Sequence, residues 1–391
     1  MRSSTTSHSA FDFKSYLSDR RDLVESKLDE LLAQREPAIL WESMRYSALG
    51  SGKRIRALLA ISAYETIKRI NSDTTQNDQQ INPNSQSDRA SSKSEIELQK
   101  FLAPVLPLSC AIEMVHAMSL IHDDLPCLDN DDVRRGKPTN HKAYGEAMAL
   151  LAGDALLMRA VEVLICSRDI QQHIECNSIL LDITRALATA TGAEGMVGGQ
   201  VFDLIYTGTG SSAAQSCASS APDANLQSAG LNGSNNCQEL NDHTGSQSHS
   251  KASAGDTSST QLNESVIRKI HAGKTGALLR FSLWSGARLA SANQLQLNAM
   301  DQFGDIVGLA FQITDDLLDV TGDVETLGKT PGKDQTANKA TWVAVFGVDG
   351  AREKLQILED EGKKLLKAEG LSNADGPILE SLLEMAIHRH K

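Results

Sequence analysis

The chain has 391 residues, with 38 Lys and Arg against 50 Asp and Glu, a formal charge of −12 and a pI near 5.3. That balance excludes nucleic acid or an anionic lipid surface as the main partner, so any functional basic residues must be local clusters. Six Cys occur without a CxxC pair or disulfide-framework spacing. Cys110, Cys127, Cys166 and Cys176 lie in or beside apolar segments, which predicts buried free thiols and a reducing, cytoplasmic setting. No secretory h-region opens the sequence, and no window reaches the ~18 uninterrupted apolar residues of a membrane span; the Ser/Thr-rich start leaves room for a short targeting leader.

Apolar residues recur at spacings of three and four, and no run alternates with period two over the length of a strand, so the fold class is all-α. Predicted helices run over 12–34, 39–47, 55–70, 108–123, 143–167, 170–192, 264–290, 292–320 and 350–368, enough for one large helical bundle. Two segments interrupt the pattern. Residues 71–97 hold two Ile and one Ala as their only apolar residues. Residues 207–263 hold four Leu, 13 Ser and 6 Asn, and no Val, Ile, Met, Phe, Trp or Tyr. Neither buries enough surface to offset chain entropy, so both are expected to be disordered surface insertions within one domain spanning 11–391.

The predicted helix over 108–123 runs straight into HDDLPCLDNDD, from His122 to Asp132. Five carboxylates packed this closely repel one another unless cations are present. An EF-hand does not fit, because the DxDxDG order of its calcium loop is absent. An isolated run of this kind reads as a solvated turn; attachment to the apolar helix LSCAIEMVHAMSLI favours a metal site on a rigid element. A second motif, DDLLD, places Asp315, Asp316 and Asp319 inside the apolar run LAFQITDDLLDV. Four residues on a helix advance about 400°, so Asp315 and Asp319 share one face, and buried carboxylates there need compensation. Hard oxygen donors suit Mg²⁺, and two acidic helices in one bundle predict a diphosphate clamped between them through several Mg²⁺ ions.

Three basic clusters complement the acids. GSGKRIR brings Gly50, Gly52, Lys53, Arg54 and Arg56 to the start of a helix. It is not a P-loop: the motif GxxxxGKS/T needs Gly where Ser47 stands and Ser or Thr where Arg54 stands. Arg134 and Arg135 follow the first acids. Lys274 and Thr275, in HAGKTGALL, combine with Lys329, Lys333 and Lys339 beyond the second acids.

In this order the motifs resemble the trans-prenyl diphosphate synthases, over nearly all of the chain outside the two insertions. EMVHAMSLIHDDLPCLDNDDVRRGKPTNHKAYG and GLAFQITDDLLDVTGDVETLGKTPGKD carry the resemblance most specifically. It implies an isoprenoid synthase fold with a central active-site cavity, a homodimer, and Mg²⁺-dependent head-to-tail condensation of isopentenyl diphosphate with an allylic diphosphate. By position it implies Mg²⁺ sites at Asp123, Asp124 and Asp129 and at Asp315, Asp316 and Asp319. Arg134 and Lys274 look like allylic diphosphate ligands, and Lys53, Arg56, His116 and Arg135 like isopentenyl diphosphate ligands. Thr275, Gln312, Lys329 and Lys339 match residues around the allylic diphosphate and the developing cation.

The family's basic loop usually reads GGKRxRP; here Ser51 and Ala57 depart from it without loss of charge. Met118, five residues before Asp123, and Ser119 lie where a growing chain anchored at the acids would run back along the helix. Farnesyl-type members often carry Tyr or Phe at the place of Met118, so the resemblance favours a geranylgeranyl over a farnesyl product. Class I terpene cyclases share the first motif, but their second mixes Asn or Asp, Ser or Thr, and Glu, unlike DDLLD. A non-catalytic regulatory subunit would be expected to lack acids from one motif, and both are intact.

Overall fold

The computed structural model describes residues 11–50, 52–76, 92–174, 176–206, 264–321, 341–372 and 377–389. The insertion at 207–263 and the middle of the one at 71–97 lie outside the described residues. The chain opens with α1 (Phe13–Leu31), α2 (Ala38–Ala48), α3 (Ile55–Gln76), α4 (Ser92–Leu102) and α5 (Val105–Asp123). A hairpin of β1 (Val133–Arg134) and β2 (Lys137–Pro138) leads to α6 (Asn140–Tyr144), α7 (Glu146–Cys166), α8 (Arg168–His173), α9 (Asn177–Thr191) and α10 (Met196–Tyr206). Then come α11 (Glu264–His271), a π turn (Ala272–Gly276), α12 (Ala277–Leu289), α13 (Gln294–Thr321), α14 (Trp342–Ala368) and α15 (Ile378–His388).

Helix α5 is the axis of the bundle. Nearly every side chain from Val105 to Ile121 is buried, and a helix apolar all round belongs inside a core. It is long and apolar enough to cross a membrane, but 78% of its apolar window is buried inside the protein. It packs on α7, α3 and α1, while α12 packs on both α5 and α13, and α13 on α14 and α15. The helices that carry the two acidic motifs are thus joined through a shared neighbour. Between α1 and α3 the core also holds Arg20 paired with Glu65 at 2.8 Å, with the Tyr16 hydroxyl donating to the same carboxylate.

The structure departs from the sequence expectations at identifiable places. Helix α3 continues to Gln76 and α4 begins at Ser92, so both ends of the expected 71–97 insertion are helical. Helices α10 and α15 were not predicted; two Gly and a run of β-branched and aromatic residues obscure the period in α10, and α15 is short. The predicted 170–192 helix is two, with Cys176 capping the second through a bond from Ser178 N to its Sγ at 3.3 Å. The hairpin is too short for an alternation signal. Its loop residues Arg135 and Gly136 have φ of 53° and 76°, as a two-residue type I′ turn requires. Of the four described cysteines all are free, but only Cys110 is buried. Cys127, Cys166 and Cys176 are exposed because they occupy a loop, the last residue of α7 and a helix cap, which are ends of elements and not their buried faces.

Candidate active site

Asp123 is the last residue of α5, and the backbone turns back at once: Asp129 N donates to the Asp123 carbonyl at 2.8 Å and Asn130 N to that of Leu125 at 3.2 Å. The hairpin then returns Arg134 to Asp124, whose buried carboxylate accepts from Arg134 Nε at 2.8 and 2.9 Å and from Nη2 at 2.6 Å. Such a fork is specific to Arg and fixes the hairpin on the helix end. Burial pushes Asp123 up to about 6; the Lys274 and Arg134 charges oppose that rise, and Asp129 and Asp124 add to it.

On α13, Asp315 is exposed, while Asp316 and Asp319 are buried. Asp315 accepts from Arg389 Nη2 at 2.8 Å. Asp316 accepts from Gln312 Nε2 at 3.0 Å and from the Trp342 backbone N–H at 2.7 Å, with His271 Nε2 at 3.6 Å. Gln312 is fixed at its other end too, where its Oε1 accepts the Thr275 hydroxyl at 2.8 Å.

Thr275 and Lys274 lie in the π turn, an irregularity that recurs at functional sites. Small residues allow it: Cβ atoms at Gly199 and Gly273 would fall 2.0 Å from Lys274 N and 2.7 Å from Gly199 Cα, so α10 crosses the turn backbone to backbone. This crossing brings Asp203 of α10 to Lys274 Nζ at 2.5 Å.

A third group of side chains is basic. His116 is pushed well below its ordinary range by burial and then by the charges of Arg56, Arg135, Arg134 and Arg54, so it is neutral. Burial also lowers Arg56 to about 10; Glu113 and Asp315 oppose the shift, while Arg135 and Arg389 add to it. The buried Nε of Arg56 has no hydrogen-bond partner, and an orphaned donor of this kind calls for an anionic acceptor. Lys53 is lowered by burial and by the Arg389 charge.

The sequence-predicted residues therefore assemble into two linked groups. Lys53, Arg56, His116 and Arg135 come together with Arg389 beside Asp315. Asp123, Asp124, Asp129 and Arg134 lie with Lys274, whose turn also carries Thr275, held to Gln312 and through it to Asp316. Lys329, Lys333 and Lys339 lie outside the described residues. Met118 is buried in the core, about 140° around the helix from Asp123, whereas Ser119 is half-buried and about 40° away. Sequence reasoning missed Arg389, Asp203 and Glu113. Of these only Glu113 carried a signal, as a lone charge inside the apolar stretch LSCAIEMV.

All side-chain donors of the two acidic motifs are carboxylate oxygens, the hard set that Mg²⁺ prefers. Among the described residues no three acids converge into a closed cage. That arrangement fits an ion bound through one or two carboxylates and completed by phosphate oxygens and water. Asp123, pushed up to about 6 by burial, is an acid whose ionised form calls for a cation.

A pH-dependent stability follows. Because the folded-state pKa of Asp123 lies above its unfolded value, the folded protein loses stability as pH rises from about 4 through about 6, on the order of 2 kcal/mol. In metal-free buffer the Asp123→Asn variant is expected to melt a few degrees above wild type near pH 7.5, with the advantage about halved near pH 5 and gone below about pH 4. A difference independent of pH would refute the burial cause.

The polyprenyl synthetase family profile matches residues 37–219 and 238–370. A chloroplastic geranylgeranyl pyrophosphate synthase of Catharanthus roseus is 34% identical over 362 residues, covering 92% of this chain and 77% of the relative. A farnesyl diphosphate synthase of Geobacillus stearothermophilus is 34% identical over 375 residues, covering 96% of this chain and 97% of the relative. The apo crystal structure of an FPP/GFPP synthase from Zymomonas mobilis superposes with a TM-score of 0.65 at 28% identity, covering 96% of this chain and 98% of that one. A profile match over most of the chain, with relatives aligned across nearly its whole length, makes this chain a member of the polyprenyl synthetase family.

Proposed function

We propose that the protein is a Mg²⁺-dependent short-chain trans-prenyl diphosphate synthase that condenses isopentenyl diphosphate with dimethylallyl, geranyl and farnesyl diphosphates, ending at geranylgeranyl diphosphate. The observation that carries this reading is the pairing of two carboxylate motifs near helix C-termini with a basic pocket in which the buried Arg56 Nε has no acceptor.

Asp123, Asp124, Asp129, Asp315, Asp316 and Asp319 would hold the ions; the contacts of Asp124 with Arg134, of Asp315 with Arg389 and of Asp316 with Gln312 and Trp342 orient them. Mg²⁺ held by these carboxylates would supply positive charge to a departing diphosphate. Arg134 and Lys274, with Lys329 and Lys339, hold the same diphosphate. Thr275 and Gln312, locked to each other, aim oxygen dipoles at the allylic cation. Lys53, Arg56 and Arg135 bind the diphosphate of isopentenyl diphosphate, and neutral His116 adds a hydrogen bond without a competing charge. The isopentenyl double bond then attacks the allylic carbon, and the proton lost from the product passes to the released diphosphate. The apolar walls of α5 exclude water from the cation.

Helix α7 supports a homodimer. Leu150, Leu151, Met158 and Ile165 are 48%, 54%, 64% and 45% exposed, and the last three, spaced by seven, form a single stripe that a second copy would cover. Met158→Glu is expected to convert the dimer to monomer on size exclusion with light scattering; an unchanged elution rejects this face. The four free thiols among the described residues support a reducing compartment, assigned as the cytoplasm.

Labelled isopentenyl diphosphate, each allylic primer and Mg²⁺, with products separated by length, test the activity directly. Geranylgeranyl diphosphate is expected as the main product, and Asp315→Ala is expected to lower kcat by about a thousandfold or more. Near-normal turnover in that variant would remove the second motif from the site. Met118→Tyr is expected to shift products toward farnesyl diphosphate, since Met is narrower and more adaptable than an aromatic ring; an unchanged distribution rejects Met118 as the gate.

A further inference from the structure

The basic segment that runs from the loop after α2 into the first turn of α3 carries Lys53 and Arg56, yet its most heavily bonded residue is Arg54. Arg54 has a left-handed φ of 51° and is 5% exposed. Its guanidinium donates to Glu25 of α1 at 2.6 and 3.0 Å, to Glu113 of α5 at 3.4 Å and to the Gly50 carbonyl at 3.0 Å. Glu113, itself buried, accepts the backbone N–H of Ala57 on its other oxygen at 3.1 Å. One turn earlier on α5, Ser109 donates to the Ala57 carbonyl at 3.4 Å.

Ala57 N–H belongs to the first turn of α3, where donors have no partner within the helix; the Leu58 N–H is the one that bonds back to Arg54 O, at 2.9 Å. Glu113 fills that vacancy from another helix. A proline at position 57 has no N–H to offer, so this bond depends on Ala57 standing there. The residue enclosed between the two grips is Arg56, whose charge stands among those of Arg135 and Arg389. Like charges repel, so a guanidinium in this place needs opposite charge nearby as well as a fixed point of departure on the backbone.

We infer that Glu113 is a positioning residue for the isopentenyl diphosphate subsite: gripping Arg54 and Ala57 at once, it fixes the backbone on both sides of Arg56 and delivers that guanidinium to the pocket. The inference rests on the function proposed above. Glu113 touches no substrate and acts through Arg56. Its negative charge also works on Arg56 and Arg135, offsetting the repulsion within the basic group.

Steady-state kinetics and thermal unfolding of the full chain carrying Glu113→Gln or Arg54→Lys test it. Glu65→Gln serves as the control, because it weakens another buried pair, with Arg20 at 2.8 Å, away from the loop. The expected result for both loop variants is a rise of about tenfold in KM for isopentenyl diphosphate, with the allylic KM changed less than about twofold. Glu65→Gln is expected to melt earlier with both KM values unchanged. If Glu113→Gln fails to fold, Arg54→Lys, which keeps a charge but loses the fork, carries the comparison. Parallel changes in both KM values, an isopentenyl KM that stays at wild type, or the same selective rise in Glu65→Gln would each overturn the inference. Absence of condensation by the wild-type chain would instead overturn the proposed function.

Discussion

A carboxylate near the C-terminus of a helix faces the negative pole of the peptide dipoles, and this protein sets one acidic motif at each of two such ends. Helix α5 stops on Asp123, and α13 holds Asp315, Asp316 and Asp319 in its last two turns. The surrounding structure supplies positive charge to them. The hairpin returns Arg134 to Asp124, the π turn brings the Lys274 charge to bear on Asp123, and the chain end lays Arg389 on Asp315. These protein cations leave Asp123 still displaced upward by burial, so the site as folded retains a demand for further positive charge.

The means of delivery are local and cheap in sequence. Two left-handed residues turn the hairpin, and two glycines let α10 touch the π turn. Each device redirects one or two side chains while the long helices behind them stay regular. Left-handed residues also occur away from the site, at Ser291 and at a kink at Gly347 inside α14, but those at the mouth are the ones that aim charged side chains, and the packed apolar faces supply rigidity.

How much of this was readable depended on whether a residue's role left a local pattern. Helices α5 and α13 were legible because apolar period and terminal acids coincide within one window. Arg56 and His116 were legible through the resemblance, and their physical state, one an orphaned buried donor and the other neutral, needed three dimensions. Arg389 and Asp203 gave no signal: neither belongs to a recognisable motif, and each acquires meaning only from a partner 74 or 71 residues away. Cys166 and Cys176 misled because proximity to an apolar run says little about the last residue of a helix or its cap. The helical ends of the 71–97 segment show that poor composition limits a core but does not forbid a helix from extending past it.

Helix α12 packs against both α5 and α13, and so acts as a spacer between the two acidic motifs. A spacer that touches both walls separates two design variables. Side chains that point from α5 into the bundle can grow or shrink and alter the depth available to a hydrocarbon tail, while the gap at the acidic rim keeps its width. One scaffold can therefore drift in the length of what it makes without retuning the chemistry by which it makes it.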